Sequence, residues 1–172
     1  ADALGDRELP RLLRCLDEEL WSLRHDRQKS EIGLLYGLIA KVRVLLLLKE
    51  MAAQGWIKPE PDYDRFKRQL ERVPAEQLPK DRRFNPLAMN PYVLFKAFPQ
   101  TRNYSREELV RAMERLLECN QRLVGSSADE ALVLQQALVD IVGHASVAAE
   151  RSAVFGGPAD RSAWTGLPDT GR

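Results

Sequence analysis

Along most of this chain, apolar residues return at intervals of three and four, the spacing that holds side chains to one side of an α-helix. Leu9, Leu12, Leu13, Leu16, Leu20 and Leu23 mark such a stripe over about residues 7–24, with Trp21 widening its edge. Asp6 is the expected cap, and Pro10 falls within the first turn or so, where proline is tolerated. After the polar stretch "RHDRQKS", Ser30 is placed to cap a second helix over about 31–54, closed by Gly55. That helix is apolar nearly all round: Ile32, Leu34, Leu35, Leu38, Ile39, Val42, Val44 to Leu48 and Met51 leave no polar face. A helix of this kind is expected at the centre of a bundle, surrounded by other helices. Gly33 and Gly37, one turn apart, predict that a neighbour's backbone comes close there.

Residues 59–90 break the regularity. Tyr63, Phe66 and Leu70 predict a short helix over about 62–72, and Pro74, Pro79 and Pro86 then punctuate a stretch of mixed charge. Asn90 and Pro91 read as a cap and a first-turn proline for a helix through "YVLFKAF", which Pro99 kinks or ends. Ser105 and Glu108 form a capping-box pair for a helix over 105–124, terminated by Gly125.

On this helix the apolar arc is too wide. At about 100° per residue, Leu109, Met113, Leu116 and Leu123 make one stripe, Val110, Leu117 and Val124 flank it on one side, and Ala112 and Cys119 on the other. The arc spans about 180°, against the ~100° that a one-sided surface helix needs. A last strong helix over about 128–142 puts Ala131, Leu134, Leu138, Ile141 and Val142 on one face.

No segment alternates with period two for long enough to make a strand, so the expected fold is all-α, a bundle of about five to six helices. One helical domain is expected over 1–143. Residues 144–172 are expected to form a largely flexible extension, in which "HASVAAERSAV" can instead prolong the last helix and the Gly-, Pro-, Ala- and Ser-rich "FGGPADRSAWTGLPDTGR" reads as a tail with Trp164 as a short anchor.

Composition adds little beyond excluding classes. A formal charge of +1 demands neither nucleic acid, an anionic membrane nor an acidic substrate. The longest apolar run, "VRVLLLLKEM", is bounded by Lys41, Arg43 and Lys49, so a membrane span is not expected. The chain starts at Ala1 without an initiator Met or a leader pattern and is read as a fragment of a longer polypeptide. Cys15 and Cys119 stand far apart within amphipathic helices, which favours inert buried thiols in a reducing cytoplasm over a disulfide.

Candidate chemistry is sparse. His25 and His144 have no ligand-type residue one helical turn away, and a zinc site built from them and the two cysteines would lack any local pairing. "VGSSADE" lacks the strand and the lysine that a phosphate loop requires. Carboxylates such as Glu107 and Glu108 lie one turn from Arg111, as on a solvated face. No catalytic residue, cofactor or metal site is expected, and the chain is not read as an enzyme.

Two features suggest binding instead. Arg65, Lys67, Arg68, Arg72, Lys80, Arg82 and Arg83 form a basic cluster interleaved with Tyr63, Phe66 and Phe84; Arg65, Arg68, Arg72, Arg82 and Arg83 are its candidate phosphate contacts. Diluted by Asp64, Glu71, Glu76 and Asp81, the cluster reads first as an ordinary solvated face. Arg43 falls on the helical face of Ile32, Tyr36 and Leu47, where an unpaired cation is costly to bury. Its partner is expected either within the chain or on another subunit.

The order "DALGDRELPRLLRCLDEEL", "LLYGLIAKVRVLLLLKEMAAQG", "NPYVLFKAFPQTRNYSREELVRAMERLLECNQRLVG" and a final apolar helix resembles the C-terminal domain of the delta subunits of bacterial DNA polymerase III. The likeness covers about residues 2–142, and its most specific part is the Asn-Pro opening followed by the "NYSREEL" helix start. The stretch 57–90 is longer and richer in proline than the compact link usual in that family, and Pro99 interrupts a helix that is commonly continuous. The resemblance implies a clamp-loader collar fold, an oligomerisation domain that follows an ATPase-like module.

It also implies partners: other clamp-loader subunits of the gamma/tau and delta prime type through the collar, and the sliding clamp and primer–template DNA through the parent complex. That complex belongs to a nucleotidyltransferase, although the fragment itself would be non-catalytic. Val110, Leu117, Val124 and Arg43 are then the candidate subunit contacts, the alternative for the first three being ordinary core. A helical nucleic-acid-binding module using residues 65–83 is the alternative function.

Overall fold

Local signals set the helix ends. Ser30 Oγ accepts the Gly33 amide at 3.1 Å and starts a helix over Glu31–Ala53. At its other end Gly55 has φ of 74°, and the amides of Gly55 and Trp56 return to the carbonyls of Ala52 and Met51, both at 3.0 Å. This is a Schellman closure, and its left-handed residue favours glycine. Asp62 and Asn90 cap the short helices Tyr63–Glu71 and Pro91–Ala97 through the amides of Arg65 (2.8 Å) and Tyr92 (2.9 Å). Pro99 ends the second of these in a 3-10 turn over Phe98–Asn103. The capping box of Ser105 and Glu108 closes reciprocally, at 3.1 Å to the Glu108 amide and 2.7 Å to the Ser105 amide.

The structure, a computed structural model, describes residues 1–25, 30–82, 84–125 and 129–155, without the side chains of 24, 124, 125, 130 and 144–155. Among the described residues it is all-helical: α1 (Asp2–Gly5), α2 (Leu9–His25), α3 (Glu31–Ala53), α4 (Tyr63–Glu71), α5 (Pro91–Ala97), α6 (Arg106–Gly125) and α7 (Glu130–Phe155), with 3-10 turns at Ala75–Gln77, Pro86–Ala88 and Phe98–Asn103. None of the helices searched is long and apolar enough to cross a membrane.

The main layer is α3, α6, α7 and α2, with α6 packed between α3 and α7, and α7 also against α2. The end of α3 meets the start of α6 through Glu50 and Arg106, whereas Arg115 with Asp140 and Cys119 with Val133 pair the middle and later turns of α6 with α7; both neighbours therefore run antiparallel to α6. Leu35, Leu45, Leu48, Leu116, Leu134 and Leu138 are fully enclosed at the centre. The proline-rich stretch is anchored on aromatics: the Phe66 ring lies 5.6 Å from Phe95 and from Phe98, and Tyr63 lies 5.6 Å from Tyr92.

Three expectations change. Asp6 does not cap the long first helix; it closes α1, and its carboxylate accepts from Gln100 at 2.6 Å and Arg11 at 3.3 Å. The helix α3 is not enclosed on all sides, because Ile32 and Tyr36 are exposed. Nor does any backbone approach Gly37, where an added Cβ would meet nothing within 4 Å, and at Gly33 it would meet only the capping Ser30 hydroxyl, at 3.4 Å. The helical path of α7 runs on through "HASVAAERSAV" to Phe155, the continuation the sequence left open, and 156–172 lie outside the described residues.

The N-terminal turn is fastened to α3 and α6. Arg7 adopts φ of 61° where glycine is usual at a helix end, and the Arg7 and Glu8 amides return to Leu4 and Ala3, both at 3.1 Å. Its guanidinium lies 4.4 Å over the Tyr104 ring and donates to Glu108 at 2.8 Å and to the Asn103 carbonyl. The Tyr104 hydroxyl donates to the Leu4 carbonyl, Asn103 Nδ2 to the Gly5 carbonyl at 2.9 Å, and Lys41 pairs with Asp2 at 3.1 Å. These contacts offset the ~1–2 kcal/mol of a left-handed non-glycine residue.

Candidate assembly surface

The wide arc of α6 divides cleanly. Leu109, Ala112, Leu116 and Cys119 are buried, and Cys119 points toward the Val133 carbonyl of α7 at 4.0 Å. Burial pushes the Cys119 thiol above its ordinary pKa, in keeping with an inert hydrophobe. The opposite flank faces outward: Val110 is 36% exposed and Leu117 49%. Val124, the third residue of that flank, lies outside the described side chains.

The flank does not stand alone. Arg106, Val110, Met113 and Leu117 follow one another at spacings of four, three and four, one stripe along the edge of α6 beside α3. On α3, Ile32, Tyr36, Ile39, Arg43, Leu47 and Glu50 follow the same rule. Glu50 Oε2 and Arg106 Nε, 3.1 Å apart, tie the two stripes together at one end. Because the helices are antiparallel and packed along their lengths, the stripes form the two sides of one apolar strip. Tyr36 is 57% exposed and Ile32 38%, while Ile39 and Met113 are partly buried against the core.

Arg43 sits inside this strip. Its guanidinium lies 5.3 Å from the centroid of Phe84, a residue of the proline-rich stretch. Among the described residues no carboxylate pairs with it. Of the predicted subunit contacts, the structure thus gathers Val110, Leu117 and Arg43 on one surface. Ile32 and Tyr36 belong to it as well and were missed, since the continuous apolar run of this helix hid which face would be left open.

The basic cluster is elsewhere. Arg65, Arg68 and Arg72 recur at three and four on the outer side of α4; they and Arg82 are exposed, while Arg83 lies outside the described residues. Asp64 and Glu71 lie one turn from Arg68, four residues before it and three after, so carboxylates border the arginine stripe. The half-exposed Tyr92 packs on Tyr63 and does not border that stripe.

A second exposed apolar pair, Leu132 and Val139, lies seven residues apart on the outer face of α7. Between α2 and α3 there is an open cleft of about 350 Å³, lined by Leu23, Gly33, Leu34, Gly37 and Leu38 with Glu19 and Ser30 as its polar side chains. The Ser30 hydroxyl is committed to the helix cap. The lining pairs no nucleophile with a base, and no group of three potential metal ligands was found among the described residues. Among the described residues, Ile32, Tyr36, Val110 and Leu117 of the α3–α6 strip are large apolar side chains left exposed. Neither a protein-family model, nor a curated protein, nor a solved structure matches the chain.

Proposed function

We propose that this chain is the collar, or oligomerisation, domain of a delta-type clamp-loader subunit of bacterial DNA polymerase III, acting in the cytoplasm during DNA replication. The observation that carries the reading is the uncovered α3–α6 strip, in which Tyr36, Val110 and Leu117 keep large apolar surfaces in water. Aliphatic and aromatic side chains aligned on two locked helices are the raw material of a seam. The order of helices and the "NPYVLFKA" and "NYSREEL" segments supply the family assignment.

A ring built from head-to-tail contacts needs two different patches on each member. The Leu132–Val139 face of α7 supplies a second one, on a different helix from the strip. The work of the domain is packing rather than catalysis: it joins neighbouring gamma/tau and delta prime type subunits, and the parent assembly handles the sliding clamp and primer–template DNA. Mixing the purified chain with those cognate subunits and measuring mass by light scattering tests this. A stable complex of defined stoichiometry is expected; separate elution at micromolar concentrations of every partner would exclude the reading.

A second reading, binding of nucleic acid by α4, rests on the exposed Arg65, Arg68 and Arg72, for which no carboxylate partner was found among the described residues. It requires salt-dependent binding of the isolated chain to duplex or primed DNA, weakened by Arg68→Ala.

A further inference from the structure

Arg43 is the one charged side chain in the middle of the strip, and its surroundings do not answer its charge. Its neighbours one turn away on α3 are Ile39 on one side and Leu46 and Leu47 on the other, and Met113 is among the facing residues of α6. The nearest carboxylate of the same stripe, Glu50, lies seven residues on, about 10 Å along the helix, and is held by Arg106. The guanidinium is half-buried and rests on the Phe84 ring, a contact that orients it without neutralising it. Covering the strip as it stands would strip water from an unmatched cation, a desolvation penalty that no contact within the strip repays.

We infer that the strip docks a helix of a partner subunit that presents an aliphatic ridge interrupted by a single aspartate or glutamate, and that this carboxylate meets Arg43. The inference rests on the assembly reading above and adds the chemistry of the partner. Charge complementarity selects a different chain over a second copy of this one. Two copies face to face would bring two unmatched arginines together at the centre of the contact, since Glu50 is engaged by Arg106 and Glu114 lies on the outer edge of the strip, one turn from Val110 and Leu117. Arginine suits the position because its planar fork meets a carboxylate with two parallel bonds while its face stays on Phe84. The carboxylate fixes the register of an otherwise featureless apolar contact.

The test measures binding of the purified chain to the cognate gamma/tau and delta prime type subunits by calorimetry at low and moderate salt. Arg43→Glu, Arg43→Met, Arg43→Lys and Leu117→Gln are compared with the parent, each checked for folding by circular dichroism. Arg43→Glu is expected to weaken binding at least a hundredfold and Arg43→Met about tenfold. Arg43→Met should also flatten the salt dependence, and Arg43→Lys should retain it. A partner carboxylate changed to arginine should restore binding to the Arg43→Glu chain.

If Leu117→Gln weakens binding but Arg43→Met binds as tightly as the parent with the same salt dependence, the strip is a seam without a facing carboxylate, and this inference alone falls. If neither substitution matters, or the parent chain does not bind, the assembly reading falls with it. A homodimer of the isolated chain, dissolved by Leu117→Gln, would seat a second copy on the strip and overturn the partner assigned here.

Discussion

Two adjacent leucines on α6 divide what holds the domain together from what it offers to others. Leu116 is fully buried between α3 and α7, whereas Leu117 is 49% exposed on the strip. Leu116→Ala removes packed methyl groups and leaves a cavity, at a cost of about 2–5 kcal/mol. For a domain of this size each kcal/mol moves Tm by roughly 2–4 °C, so a drop of about 4–20 °C is expected. Leu117→Gln keeps a good helix former and forfeits about half of the ~1.5–3 kcal/mol for burying a leucine, so Tm should fall by only about 2–6 °C.

In a complex the order reverses. Completing the burial of position 117 with an unpaired amide in place of a leucine costs about 2–4 kcal/mol, or roughly 30- to 1000-fold in affinity. Thermal unfolding by circular dichroism gives the first quantity, and titration against the clamp-loader subunits proposed as partners gives the second. A Leu117→Gln chain that melts as low as Leu116→Ala would place position 117 in the core and refute the division of the arc.

Tyr104→Phe keeps the ring under Arg7 but leaves the Leu4 carbonyl without its donor; a loss of about 1–3 kcal/mol in urea unfolding is expected, and an unchanged midpoint would contradict the fastening of α1. The same hydroxyl titrates high, pushed up to about 12 chiefly by burial, so the bond should survive throughout the mildly alkaline range. Burial would raise the Glu108 carboxyl, but the Ser105 amide and the Arg7 guanidinium outweigh it and hold its pKa below the ordinary value. Its stabilisation is therefore whole above the unfolded carboxylate pKa and is lost as pH falls through the folded one. Glu108→Gln should lower stability near neutrality and flatten the acid decline, and an identical pH profile for the two chains would remove Glu108 from the account. Gly37→Ala adds a methyl group to open space within a helix and should raise Tm by a few degrees, reflecting about 0.5–1 kcal/mol; a fall would mean that something packs there in the isolated chain.

The sequence announced those features whose causes are local. Ser30 with Gly33, Asn90 with Tyr92 and the Ser105–Glu108 box are encoded within three residues, and each cap formed where its spacing placed it. Long-range contacts were not announced. Arg7 occupies a left-handed position that ordinarily signals glycine, and the Tyr104 and Glu108 contacts that compensate for it lie about a hundred residues away. The four residues of α1 are too few to show a period. The 180° arc of α6 said that two surfaces were covered or waiting, but periodicity carries no information on which flank meets α7. The run from Val44 to Leu48 likewise concealed the open side of α3, because a face without polar residues looks the same whether a helix or a partner covers it. Phe84, isolated among prolines and charges, gave no sign that it would reach Arg43.

Hydroxyl-radical footprinting of side chains tests the central claim most directly, because it reads which surfaces lose water when the clamp-loader subunits proposed as partners are added. The strip should go dark: Tyr36, Met113 and Leu117 protected severalfold, with Trp21 and Tyr92, exposed on other elements, labelled as before. Unchanged labelling of Tyr36 and Leu117 in a formed complex, or protection centred on Tyr92 and the α4 arginines, would contradict it.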